Sequence, residues 1–339
     1  MLEALNSMST FDSETLYEGE GALEVPMLKS EESVASRIQF KISILAVIIQ
    51  ALLLSLMRLF LRRKDLPFSD STYNDCDLTY DPNQRKKAVI TAVETLRLDA
   101  NTVVKCLHAC RQHNTTITAL IHTLIKITLA ADLYPQANFC ISWTAVDLRR
   151  YAAADDGLHS HGAITNASAS LPSRTRLANW RKAGTPLHRE SSKTEQYYID
   201  CAQGWLLAHR YYEFLSQNVQ HGKRILRDHK SINLIGPDDE HYVAQMVPAI
   251  GQQLKQAFLV SNLGAFDPAS SASPWTISDV EFSAGATKGG IGTDVVFNMA
   301  SVKGGDCVIN LTYEKGVLDP DMVRKLIQGV KTRLEVMIK

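Results

Sequence analysis

The closest histidine pair in this 339-residue chain is His159 and His161, which follow Asp155 and Asp156. Imidazoles and carboxylates that near one another can bind a divalent cation. A metal centre needs a third ligand at fixed distance, and this stretch reads as a polar loop, so a solvated loop is expected and no metal site is assigned. His209 and Glu213 stand four apart inside an amphipathic stretch, where a structural or solvated pair is the expectation. The run Gly285–Gly292 (GATKGGIG) lacks the order of a phosphate-binding loop and is read as turn glycines. No G-x-S-x-G elbow offers a serine nucleophile. Six cysteines (Cys76, Cys106, Cys110, Cys140, Cys201, Cys307) show no C-x-x-C spacing, which argues against a disulfide framework or structural zinc site and fits a reducing compartment.

The elements that must carry any chemistry can be read from patterning. Val89 to Leu98 is rich in β-branched residues and predicts a strand; Asp99 then caps a helix with Val103, Leu107 and Cys110 on one face. Thr115 or Thr116 starts a second helix with Ile117, Leu120, Ile121, Leu124 and Ile125 at helical spacing, closed by Pro135. Phe139, Ile141 and Trp143 alternate with Cys140, Ser142 and Thr144 in a strand that runs into Val146-Asp147-Leu148-Arg149-Arg150. Ser192 and Glu195 have capping-box spacing ahead of a long amphipathic helix ended by Gly222. Val295 to Val302 and Cys307 to Tyr313 predict a hairpin through Lys303–Asp306, and Asp319 with Pro320 opens a last helix. Strands and helices alternate without a strict βαβ repeat, which indicates a mixed-sheet α/β layered lobe.

Composition narrows the partners. Lys plus Arg number 36 and Asp plus Glu 36, so the chain lacks the broad basic surface that a nucleic-acid backbone requires. Residues 1–39 hold eight acids against two bases and read as an acidic, poorly ordered head, neither a signal nor a transit peptide. The 20 residues from Ile42 to Leu61 are apolar but for Ser43, Gln50, Ser55 and Arg58, and would span roughly 30 Å as a helix. Three environments suit such a helix: across a bilayer, along its surface, or docked on protein. The organisation expected is head 1–39, hydrophobic helix 40–64, linker 65–85 and folded lobe 86–339. Arg62, Arg63 and Lys64 after the apolar run favour attachment to a membrane with the carboxy-terminal domain cytosolic; a cytoplasmic protein is the alternative.

The order of four pieces is distinctive: the strand and helix from Val89 to His113, the helix beginning Thr115-Thr116-Ile117, Val146-Asp147-Leu148-Arg149-Arg150, and Gly162-Ala163-Ile164-Thr165-Asn166. With Val260-Ser261-Asn262-Leu263-Gly264 and the terminal hairpin and helix, it resembles the carboxy-terminal lobe of the CoA-dependent acyltransferase superfamily (chloramphenicol acetyltransferase-like fold). Within that superfamily it is most similar to the fungal alcohol acetyltransferases. The resemblance covers roughly Lys86 to Lys339. It implies acyl transfer, in particular acetyl transfer from acetyl-CoA to an alcohol in secondary metabolism, with no permanently bound cofactor and a monomeric chain. It also implies that Arg149 matches an arginine pairing with the family's motif aspartate, with Asp147 fixing the turn. Asn166, Ser261 and Asn262 match channel-side positions for substrate and CoA. A strand-end ion pair is the other reading of Asp147 and Arg149, and local capping that of the channel residues. The family's catalytic His-x-x-x-Asp is absent, since none of the ten histidines has an aspartate four residues on. No catalytic residue is therefore assigned, and a catalytically silent, membrane-attached binding module is the rival expectation.

Overall fold

The computed structural model describes residues 38, 40–41, 43–69, 90–151, 167–186, 197–233, 256–267, 277–285 and 293–339. Among these residues six strands form one sheet: β1 (Thr91–Leu98), β2 (Phe139–Asp147), β3 (Ser168–Arg176), β4 (Gln256–Phe266), β5 (Thr293–Val302) and β6 (Cys307–Glu314). Their order is β1-β6-β5-β4-β2-β3. β2, β4 and β5 run parallel in the middle, while the β1/β6, β5/β6 and β2/β3 pairings are antiparallel. The three segments predicted as strands at 89–98, 139–146 and 307–311 therefore share one sheet, and the mixed-sheet α/β class holds.

The helices are α1 (Ile44–Phe60), α2 (Ala100–Gln112), α3 (Ile117–Thr128), α4 (Ala178–Ala183), α5 (Cys201–His221), α6 (Lys223–Asn233) and α7 (Pro320–Met337). Local chemistry sets most of their ends. Asp99 accepts from the Thr102 N–H, Thr116 from Ala119, and Asp319 from Asp321 ahead of Pro320 in the first turn. Gly222 stops α5 at φ 61°, and a Cβ there would sit 2.5 Å from the Tyr151 ring, so glycine is required on both counts. The start of α5 differs from the sequence expectation. Ser192 and Glu195 lie outside the described residues, and the helix begins at Cys201 under the Asp200 carboxylate. Tyr197, at φ 69°, and the Tyr198 carbonyl, which accepts from Arg333 Nε at 3.0 Å, belong to the turn before it.

α3, α5 and α7 cover one face of the sheet. The inward rows of β1, β4, β5 and β6 are apolar there: Leu96 and Leu98, Phe258 and Val260, Val295, Phe297 and Met299, and Ile309 and Leu311 all join one core. α3 is the centre of this layer, with every residue from Ala119 to Thr128 buried. It runs into a wide π-type turn, Leu129–Leu133, which presents Asp132 to Arg333 of α7. The fully buried guanidinium meets Asp132 at 2.6 and 3.0 Å and Thr128 Oγ1 at 3.0 Å. This satisfies a charge that would otherwise be costly to bury. Gly329 permits the approach, because a Cβ on it would stand 2.6 Å from Thr128 Cγ2.

The margins of the lobe carry two further features. Leu66 and Phe68, at the start of the stretch read from sequence as a connector, are buried, and the Phe68 ring packs on Tyr134 at 5.2 Å. An aromatic side chain excluded from water outweighs the turn-forming residues around it. At the opposite margin β3 forms an edge of the sheet, with Pro172 at its middle and the Pro172 carbonyl accepting from Arg224 of α6 at 2.9 Å.

Candidate functional site

Because β2, β4 and β5 are parallel neighbours, their carboxyl ends lie on one side of the sheet, where ligands of α/β folds commonly bind. β2 ends there in Asp147. Its Oδ1 accepts from the Arg149 backbone N–H at 2.9 Å, and both carboxylate oxygens lie 3.1 Å from Arg149 Nε. Burial pushes the Asp147 carboxyl up, but hydrogen bonds from Arg149 outweigh it and hold it below the ordinary carboxylate value. Both side chains are about half exposed, at 42% and 50%, so the pair adds little to stability. Its consequence is orientation: the short 3-10 turn Leu148–Tyr151 holds the guanidinium at the rim of the sheet.

β4 contributes Ser261 and Asn262. Strand alternation sends these neighbours to opposite faces. Asn262 turns to the helical layer, donating from Nδ2 to Thr118 Oγ1 in the first turn of α3 at 2.9 Å and accepting from the Gly264 N–H at 2.8 Å. Ser261 is in register with Asn298 of β5 on the other face. There Asn298 donates to the Asn310 carbonyl at 3.0 Å, and Asn310 accepts from Thr95 at 2.7 Å. A polar row thus crosses β4, β5, β6 and β1. Asn166 lies outside the described residues, as do His159, His161 and the glycine run beyond Gly285. The structure therefore brings Asp147, Arg149, Ser261 and Asn262 to one end of the sheet on adjacent parallel strands.

Behind that end lies a buried polar network that periodicity alone did not reveal. His122 Nε2 and Ser142 Oγ of β2 are 3.0 Å apart, and the imidazole stacks on Tyr211 of α5 with ring centres at 3.6 Å. Tyr211 in turn meets Thr144 Oγ1 at 2.7 Å. One turn along α3, Lys126 Nζ donates to Thr175 Oγ1 at 2.6 Å and Ser173 Oγ at 3.2 Å, between the rings of Trp180 and Tyr211. Burial, reinforced by the Lys126 charge, pushes His122 well below its ordinary value and keeps it neutral. Burial likewise pushes Lys126 down to about 8. Neither side chain has exposed surface. They brace Ser142–Thr144, where β2 pairs with β4, and so fix the strands whose ends carry Asp147 and Asn262. The one signal in the sequence was a histidine and a lysine four apart on an otherwise apolar helix face.

His209 is half exposed in α5, with Nδ1 2.7 Å from the Asn114 carbonyl and Nε2 3.5 Å from Glu213, in keeping with a structural role. Among the described residues no group of three His, Cys, Asp or Glu side chains could hold a metal ion.

No family model matches the chain. Over 254 residues, 73% of this chain and 46% of the other, it is 25% identical to the probable alcohol acetyltransferase FCK4 of Fusarium pseudograminearum. The chain spans about half the length of the curated relative it matches. In structure it is similar to the trichothecene 15-O-acetyltransferase TRI3 of Fusarium sporotrichioides, with a TM-score of 0.51 at 14% identity, over 74% of this chain and 47% of that one. The fold is thus a lobe of the acyltransferase type, and in sequence the chain is alcohol-acetyltransferase-like.

Proposed function

We propose that this chain supplies the carboxy-terminal lobe of an acyltransferase that moves an acetyl group from acetyl-CoA to an alcohol of secondary metabolism. The observation that carries the reading is the sequence match to the alcohol acetyltransferase over 73% of the chain, supported by a likeness in fold to an acetyltransferase over 74% of it. In the reaction the acceptor oxygen attacks the thioester carbonyl, the hydroxyl proton passes to a general base, the acyl C–S bond breaks, and the base returns the proton to sulfur so that CoA leaves as the thiol. In this reading the chain binds and orients. Arg149, fixed by Asp147, faces the loop that carries the base, and Asn262, fixed by Thr118, lines the path of the acyl donor.

Calorimetry of the full chain with CoA tests this. Micromolar binding is expected, weakened about tenfold in Asn262→Ala while the thermal transition stays in place; a natively folded chain that ignores CoA overturns the reading in favour of a silent module. Acetyl transfer to an alcohol by the chain alone would keep the activity and refute the claim that it lacks its own base.

A further inference from the structure

The geometry of α1 points to a docking site for an anionic lipid surface, along which the helix lies with its axis in the plane. Ile44, Leu45, Ile48, Ile49, Leu52, Leu53, Leu56 and Phe60 are each at least 49% exposed. At 100° per residue they fall within one half of the helix circumference, forming an apolar strip broken only by Ser55 among the described side chains, along 17 residues, about 25 Å. A strip of that extent exceeds the apolar patches that water-facing surfaces ordinarily carry and marks a surface covered by something else. No single helix among the described residues is long and apolar enough to cross a membrane, which favours lying over spanning.

Charge selects the occupant. From Phe40 to Lys64 the sequence contains Lys41, Arg58, Arg62, Arg63 and Lys64 and no acid. Lys41 stands exposed before the helix, and Arg62 and Lys64 stand exposed after it, so both ends of the strip are flanked by cations. Two copies packed through this strip would bring like charges together, whereas lipid phosphates at both ends would neutralise them while the apolar half enters the acyl boundary. The nearest acid, Asp65, is already engaged: it accepts from the Arg62 N–H at 3.2 Å and from Asn138 Nδ2 at 3.1 Å. That turn leads straight into the buried Leu66 and Phe68, so a lipid-bound α1 would hold the lobe at the surface through a short, packed connection. This inference does not depend on the acyl-transfer reading.

Flotation of the full chain with phosphatidylcholine vesicles, with and without about one third phosphatidylserine, tests the assignment at physiological salt. The wild type is expected to float with the anionic vesicles at least tenfold better than with neutral ones. Ile48→Asp with Leu52→Asp should abolish flotation without moving the thermal transition, and Arg62→Gln with Lys64→Gln should cost about fivefold per charge on anionic vesicles only. Equal recovery from both vesicle types, or none from either, overturns the proposal. A wild type that sediments as a dimer and becomes a monomer in the double aspartate variant assigns the strip to a second copy. Loss of the thermal transition in that variant assigns it to protein interior.

Discussion

Helices α1 and α3 are both long apolar runs, yet α3 carries a histidine and a lysine and is buried from Ala119 to Thr128, while α1 keeps eight large apolar side chains in the open. Hydrophobicity alone would have ranked them the other way. α3 is buried because α5, α7 and the inward rows of the sheet close around it, and because Ser142, Ser173 and Thr175 stand where its two polar side chains arrive. Among the described residues no such rows close over the apolar face of α1. Burial is therefore a property of what an element meets, and an apolar helix face left exposed marks a surface still to be covered.

Matched substitutions give the sharpest test of that contrast. Leu124→Ala in α3 should cost about 2–5 kcal/mol in denaturant unfolding, because it leaves a cavity among residues that cannot collapse. Leu52→Ala in α1 should stay within about 0.5 kcal/mol. Equal costs would break the comparison by showing that α1 is part of the cooperative core.

The second test uses the buried lysine. The folded-state value of Lys126 is depressed, to about 8 from 10.5, so between those limits the unfolded chain binds more protons and stability rises with pH. The penalty for holding the ammonium in the core is therefore complete below pH 8 and fades above it. Relative to Lys126→Met, the wild type should gain about 3 kcal/mol across that window. A flat difference between the two proteins would mean that the amine finds solvent.

The smallest effect separates two caps of equal geometry. Thr116 Oγ1 and Ser43 Oγ each accept an N–H at 3.4 Å, from Ala119 and Ala46. Thr116→Ala should lower global stability by about 1 kcal/mol. Ser43→Ala should only fray α1 and leave the unfolding transition unmoved, because local opening there is not coupled to the core.

Features that depend on a few adjacent residues were legible in the sequence: the Asp99, Thr116 and Asp319 caps, the Gly222 stop and the terminal hairpin. Asp147 and Arg149 were legible as a pair because they are two apart, and the contact between them is present at the end of β2. Other features were hidden by distance or by competition. Asn262 meets Thr118 across 144 positions, which no local pattern encodes. Ser192 and Glu195 offered a plausible helix start, but Asp200 takes that role after a residue of positive φ. β3 escaped notice because Pro172 and a run of serines and arginines mask its alternation, and Lys126 because apolar periodicity passes over a charged residue placed among its members.

Pro172 has a consequence for how copies of this lobe behave when crowded. An edge strand presents a template on which another chain can extend the sheet, and the middle of such a strand is where added pairing would take hold. At Pro172 the outward donor is missing, and the outward acceptor is occupied by Arg224. An incoming strand would lose both contacts at its central residue and would have to displace a guanidinium from a carbonyl. The feature that made β3 hard to recognise thus protects the lobe against strand-by-strand aggregation at that margin.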